Sequence, residues 1–133
     1  MSRAAVHSAI ATSAELHALG YAGAEVYRTV GMENSEADKL IVLRWGSNPR
    51  TMMSHGNEFL TVWVYDRGRS YTDIDKAIKI IKNLLLGLVD IGGSDGEHLS
   101  QINWNGTSDD LYDDGMKRIT RNAVFTVNSR VSL

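Results

Sequence analysis

The sequence predicts an α+β fold: a mainly antiparallel sheet of about four to five strands, an N-terminal helix, and one central amphipathic helix packed on the sheet. Two stretches carry that expectation. In 58–66, EFLTVWVYD, the set Leu60, Val62, Val64 alternates with Phe59, Thr61, Trp63, Tyr65, and residues two apart share a face of a strand. In 74–88, Ile74, Ala77, Ile78, Ile81, Leu84, Leu85 and Leu88 recur at three- and four-residue steps, which draws one wide stripe along a helix. The 133 residues are a one-domain length, taken as a single unit over 1–133.

In chain order, 2–19 reads as a helix: it is alanine-rich, lacks Gly and Pro, and ends at Gly20, a suitable C-cap. Its apolar side is thin (Val6, Ala9, Ile10, Leu16, Leu19), so it is expected to pack lightly or to be completed by a partner. Strands follow at 25–30 and, more strongly, at 39–45, separated by the polar loop 31–38. The connection 46–57 holds the sole proline, Pro49, and at about 12 residues is long for a hairpin. The central strand is apolar on both faces, which suits an internal position with a helix on one side and another layer or chain on the other. Thr72, with Asp75 three residues later, resembles a capping box with Asp in place of Glu or Gln.

Beyond the central helix, 90–97 is a Gly- and Asp-rich loop, 99–104 a strand, and 105–115 a polar connection. In 118–131, Ile119, Ala123, Phe125, Val127 and Val131 share one parity, and Arg118, Thr120, Asn122, Thr126, Asn128 and Arg130 the other. That is a half-buried strand. At roughly 3.3 Å per residue it would extend about 46 Å, long enough to require a bulge or an end that leaves the body for another subunit.

Composition excludes several classes. Without cysteine there is no disulfide, thiolate zinc site or cysteine nucleophile. No signal-like or membrane-length apolar run is present, so a soluble protein with no membrane partner is expected. A net charge of -2 argues against general nucleic-acid binding. The charge is uneven, however: 83–116 holds Asp90, Asp95, Glu97, Asp109, Asp110, Asp113 and Asp114 without Lys or Arg, whereas 117–133 holds Lys117, Arg118, Arg121 and Arg130 without an acid.

No glycine motif for nucleotides and no nucleophile elbow occurs. The aspartates 109, 110, 113 and 114 are oxygen donors of the kind hard cations prefer, but their spacing does not match a calcium loop, and a solvated acidic turn is the simpler reading. His7, His17, His55 and His98 are scattered. Trp45, Trp63, Tyr65 and Trp104 suit sheet packing or an oligomer face better than stacking on bases or sugars. Arg67 and Arg69, in the turn before the helix, suit solvent, a phosphate or a neighbour's carboxylates.

The order of these pieces resembles the tail terminator (tail-completion, head-tail joining) proteins of long-tailed bacteriophages. In that family an aromatic-rich strand leads into a helix with a Leu-rich end, and an acidic, glycine-containing turn precedes a final strand with an Arg near its start. Residues 62–65, 74–88, 113–115 and 118–127 carry the match, which spans roughly 20–130. The resemblance implies a virion protein, assembled in the bacterial cytoplasm, that forms a six-membered ring on the tail tube protein. It would stop tube growth and present a face to the head connector, with no catalysis and no cofactor. Genomic DNA would pass through without specific binding.

On that reading Asp109, Asp110, Asp113 and Asp114 are expected at the lumen or a subunit interface. Arg67, Arg69, Arg118 and Arg121, and the exposed side of Phe59, Trp63 and Tyr65, are further interface candidates, and the 46–57 loop is expected to meet a neighbouring ring. A head-completion or connector adaptor shares these properties. A small metal-dependent hydrolase is the alternative from another class, and an oligomeric cytosolic protein unrelated to phages is also compatible.

Overall fold

The computed structural model describes residues 2–27, 35–47, 55–68, 70–89, 91–92 and 97–131. Two short helices, α1 (Ser2–Ala11) and α2 (Ala14–Ala18), lead through a 3₁₀ turn at Gly23–Glu25 to β1 (Val26–Tyr27). Then come β2 (Lys39–Ser47), β3 (His55–Asp66), α3 (Thr72–Leu86), β4 (Ile91–Gly92), β5 (Glu97–Thr107), β6 (Leu111–Asp113) and β7 (Arg118–Val131). The sheet runs β1-β2-β3-β7-β5-β4, with β6 also on β7. Every pairing is antiparallel except β1 with β2. The α+β class holds: four long strands form the body, and β1, β4 and β6 are two- and three-residue additions.

The single N-terminal helix expected over 2–19 is two helices. Ser13 adopts an extended backbone and its hydroxyl accepts from Leu16 N at 3.3 Å, which satisfies a first-turn donor and starts a new helix. Gly20, at φ +101°, ends α2 as the sequence indicates. Tyr21 N donates to Leu16 O and Gly20 N to His17 O, both at 3.0 Å, the paired bonds of a Schellman turn. Of the thin apolar side, Val6, Ile10 and Leu16 are buried in the main core, while Ala9 and Leu19 are half-buried.

The helices cover one sheet face. Ile74, Ala77, Ile78, Ile81 and Leu85 of α3 face Ile41, Leu43, Leu60, Val62, Val64, Ala123, Phe125 and Val127. Each fully buried aliphatic or aromatic side chain there contributes about 1.5–3 kcal/mol relative to exposure. The capping box is not formed: Thr72 is already helical, and Tyr71 is the N-cap with no side-chain bond. Ser70 Oγ instead accepts from Thr72 N at 3.2 Å.

β7 does not leave the body. It pairs with β3 from Ile119 to Arg130, while β6 and β5 share its other edge in tandem, β6 at Arg118–Thr120 and β5 from Ala123 to Val131. The register shifts fall in β5, at Leu99/Gln101 and Trp104/Gly106. The polar connection expected over 105–115 contains the strand β6, and Ile91 and Gly92 of the expected 90–97 loop pair with Leu99 and His98. Within the 46–57 loop, residues 48–54 lie outside the described residues.

Candidate assembly interface

The register places the two faces of β3 in different surroundings. Leu60, Val62 and Val64 lie under the helices; Phe59, Thr61, Trp63 and Tyr65 lie on the uncovered face. One end of that face is closed within the chain. Tyr65 forms a small cluster with Leu40 and Val42, flanked by Tyr27, Trp63 and Met116. Trp63 and Tyr65 stack with ring centroids 6.4 Å apart. Burial, then the nearby Asp113 carboxylate, pushes the Tyr65 hydroxyl up to about 12. The other end is open: Phe59 is 40% exposed and with Arg44, Trp45, Gly46 and Thr61 lines a shallow depression of about 460 Å³. Towards β7 the same face carries Asn122, Thr126 and Asn128, with Val124 among them. Asn105 Nδ2 donates to Thr126 Oγ1 at 2.6 Å across it.

The acidic segment is divided by geometry. Asp110 sits 3.3 Å from Arg121 Nε, and Arg121 also pairs with Asp75 of α3 and donates to Ser108 O at 3.2 Å. Parity explains this: Arg121 falls on the helix-facing side of β7, opposite Val64, where Asp75 at the start of α3 and Asp110 before β6 offer it carboxylates. Asp113 Oδ1 accepts from Met116 N at 3.0 Å, closing the turn that ends at Lys117 with φ 52°. Asp109 and Asp114 are exposed. The four aspartates do not converge, and among the described residues no group of three His, Asp or Glu side chains is placed to hold a metal ion.

Arg118, one of the interface candidates, is 3% exposed. Its guanidinium donates to Ala37 O from Nε (3.2 Å) and Nη2, to Ser35 O at 3.2 Å and to Met116 O at 3.0 Å. Burial, then the Arg67 charge, lowers its pKa from the ordinary value. It ties the approach to β2 to the acidic turn rather than facing outward. Arg67 donates to Glu36 O at 3.1 Å and stands 3.4 Å from the Asp38 carboxylate, and it stays exposed. Arg69 lies outside the described residues. His7 and His17 contact the carbonyls of Val26 and Ala11, at 3.1 and 2.8 Å; the side chains of His55 and His98 lie outside the description.

Sequence reasoning passed over two features. Lys39 Nζ donates to Leu19 O (2.6 Å) and Asp73 (2.7 Å), and lies 5.6 Å from the Tyr21 ring centroid, locking α2 and α3 to the start of β2. That hydrogen bond holds the Asp73 carboxyl below its usual range. The second is a basic stripe on the back of α3, formed by Lys76, Lys79 and Lys82. Lys82 stands 3.7 Å from the Trp104 ring centroid. Steps of three on a helix keep lysines near one line, so a helical projection of 74–88 would have revealed it. Beside it, Lys76, Lys79 and Ile80 of α3 with Glu15, Ala18 and Leu19 line a shallow groove of about 380 Å³.

No helix among the described residues is long and apolar enough to cross a membrane. No family model matches the chain, and no curated protein matches it. The fold is shared with a chain of the solved structure described as the virion of a native gene transfer agent (GTA) particle. The TM-score is 0.73 at 16% identity, over 94% of this chain and 91% of that one.

Proposed function

We propose that this chain is a structural subunit of a phage-like particle and, within it, the tail terminator: a ring that caps the tail tube, ends its growth and offers the surface on which the head joins. The observation that carries the reading is the fold likeness to a chain of a gene transfer agent virion, complete over nearly the whole of both chains. It is joined by the sequence resemblance across 62–65, 74–88, 113–115 and 118–127.

Three features of the site support a ring-forming role. Among the described residues, β1 pairs with Ile41 and Val42 of β2, and β4 with His98 and Leu99 of β5, and the rest of those two outer strands is where a neighbour's strand would add. Phe59 presents an aromatic ring on the open face. At the opposite, Tyr65 end of the sheet, the exposed carboxylates of Asp109 and Asp114 would repel DNA phosphates passing a lumen or meet a neighbour's cations. The mechanism is competitive capping and needs no catalytic group. A non-enzymatic structural role suits the fold likeness.

Disrupting the gene and measuring tail length by negative-stain microscopy tests the reading. Tails longer than wild type, cured by supplying the chain in trans, are expected. Tails of normal length that fail to join heads would replace the terminator by the connector adaptor, and unaffected particles would remove both.

A further inference from the structure

The acidic turn and the basic groove lie on opposite flanks of α3. On one flank, Tyr71 OH donates to Leu111 O at 2.7 Å and Asp75 pairs with Arg121, so β6 is fixed beside the start of the helix. On the other flank, Asp73 meets Lys39, and α2 packs to form the groove with Ile80, Lys76 and Lys79. The β6 segment carries two large apolar side chains in solvent, Leu111 at 38% and Tyr112 at 59% exposure. Its exposed acids, Asp109 and Asp114, bracket them. The groove has the opposite character: an apolar floor of Ala18, Leu19 and Ile80 with Lys76 and Lys79 on its rim, against the single acid Glu15. A tyrosine flanked by carboxylates is complementary to such a groove in shape class and in charge.

Because the protruding turn and the groove are separate surfaces of one chain, their union between copies is head-to-tail. Such contacts form a ring when the rotation between copies closes, and an open filament when it does not. We propose that the Leu111–Asp113 strand and its flanking aspartates dock in the α2–α3 groove of the next copy, with Tyr112 as the apolar anchor and Asp109 and Asp114 against Lys76 and Lys79. The assignment rests on the ring-forming role above and specifies its subunit contact.

The test uses the full chain. Tyr112→p-benzoylphenylalanine is photolysed in an equal mixture of isotopically light and heavy protein, and crosslinks are mapped by mass spectrometry. Mixed-isotope crosslinks to residues 14–19 or 76–80 are expected; crosslinks confined to one chain, or to other segments of the neighbour, overturn the assignment. In parallel, sedimentation velocity compares wild type with Lys76→Glu/Lys79→Glu, Asp109→Lys/Asp114→Lys and the fourfold charge swap. Each charge-reversed pair is expected to weaken self-association by about tenfold or more, and the swap to restore it to within about threefold. Circular dichroism establishes that each variant folds. Weakening without restoration overturns the charge pairing, and a wild type that is monomeric at every concentration overturns the contact. The wider function would still be decided by tail length, which this experiment does not read.

Discussion

Replacing Arg118 by methionine keeps an apolar stem of similar reach and deletes the guanidinium that joins Ser35, Ala37 and Met116. A hydrogen bond to a charged donor is worth about 1.5–3 kcal/mol, and an ordinary one about 1 kcal/mol. The three carbonyls belong to half-buried residues that water can partly reach in the variant, so the lower figure applies to each, and the loss is about 3 kcal/mol. Against a total stability of about 5–15 kcal/mol for a domain of this kind, that is a large fraction.

At roughly 2.1 cal/mol/K per residue, 133 residues have an unfolding entropy near 0.28 kcal/mol/K, and about 3 kcal/mol then lowers Tm by about 11 °C. Differential scanning calorimetry of the purified chain measures the shift. Arg118→Lys, which keeps the charge and can reach one or two of the carbonyls, should lose about half as much. An Arg118→Met variant melting within about 3 °C of wild type would refute the clamp and return Arg118 to the pool of side chains free to meet a partner.

Two further outcomes follow from titrating groups. Folding raises the Tyr65 pKa from 10.0 to about 12, so its contribution is complete below pH 10 and is lost as pH rises towards 12. Tyr65→Phe should flatten the fall in stability over that window, measured by urea midpoints, and a slope equal to wild type would contradict the burial of the hydroxyl. The Asp73 carboxyl, by contrast, is held below its ordinary 3.8 by Lys39. Its contribution is complete above that value and disappears as pH falls below it. Asp73→Asn should therefore weaken the dependence of Tm on pH on the acid side only, and an identical effect at neutral and acid pH would point to packing rather than charge.

The parts of the fold that could be read from the sequence are those where one periodicity is written over many residues. The alternation in 58–66 and the stripe in 74–88 survive because each buried position repeats the same instruction. Parity in β7 even predicted which residues face the core, with Arg121 as the exception that a partner on α3 explains. β6 was not legible, since three residues reading LYD in an acidic stretch hold no period, and their pairing is imposed by β7. The break between α1 and α2 rests on one serine hydroxyl. The position of Arg118 depends on carbonyls more than eighty residues earlier in the chain, a relation no local pattern encodes. The full pairing of β7 was missed for a related reason: its far edge is divided between two strands, and neither half announces the other.

That divided strand also sets when the protein can exist at all. β3, β5 and β6 make no sheet with one another except through β7, the element synthesised after all of them. A ribosome that has delivered everything up to residue 117 has made the helices and three of the long strands, yet the contacts that would join the two halves of the sheet still lack their middle member. Native structure therefore waits for a late, long-range event, which slows folding relative to locally wired topologies. It also means that a truncated product cannot present a finished surface. For a protein proposed to join a closed ring, where one defective member spoils the whole, a fold whose two sheet halves stay unjoined until β7 arrives acts as a check on the completeness of its sheet.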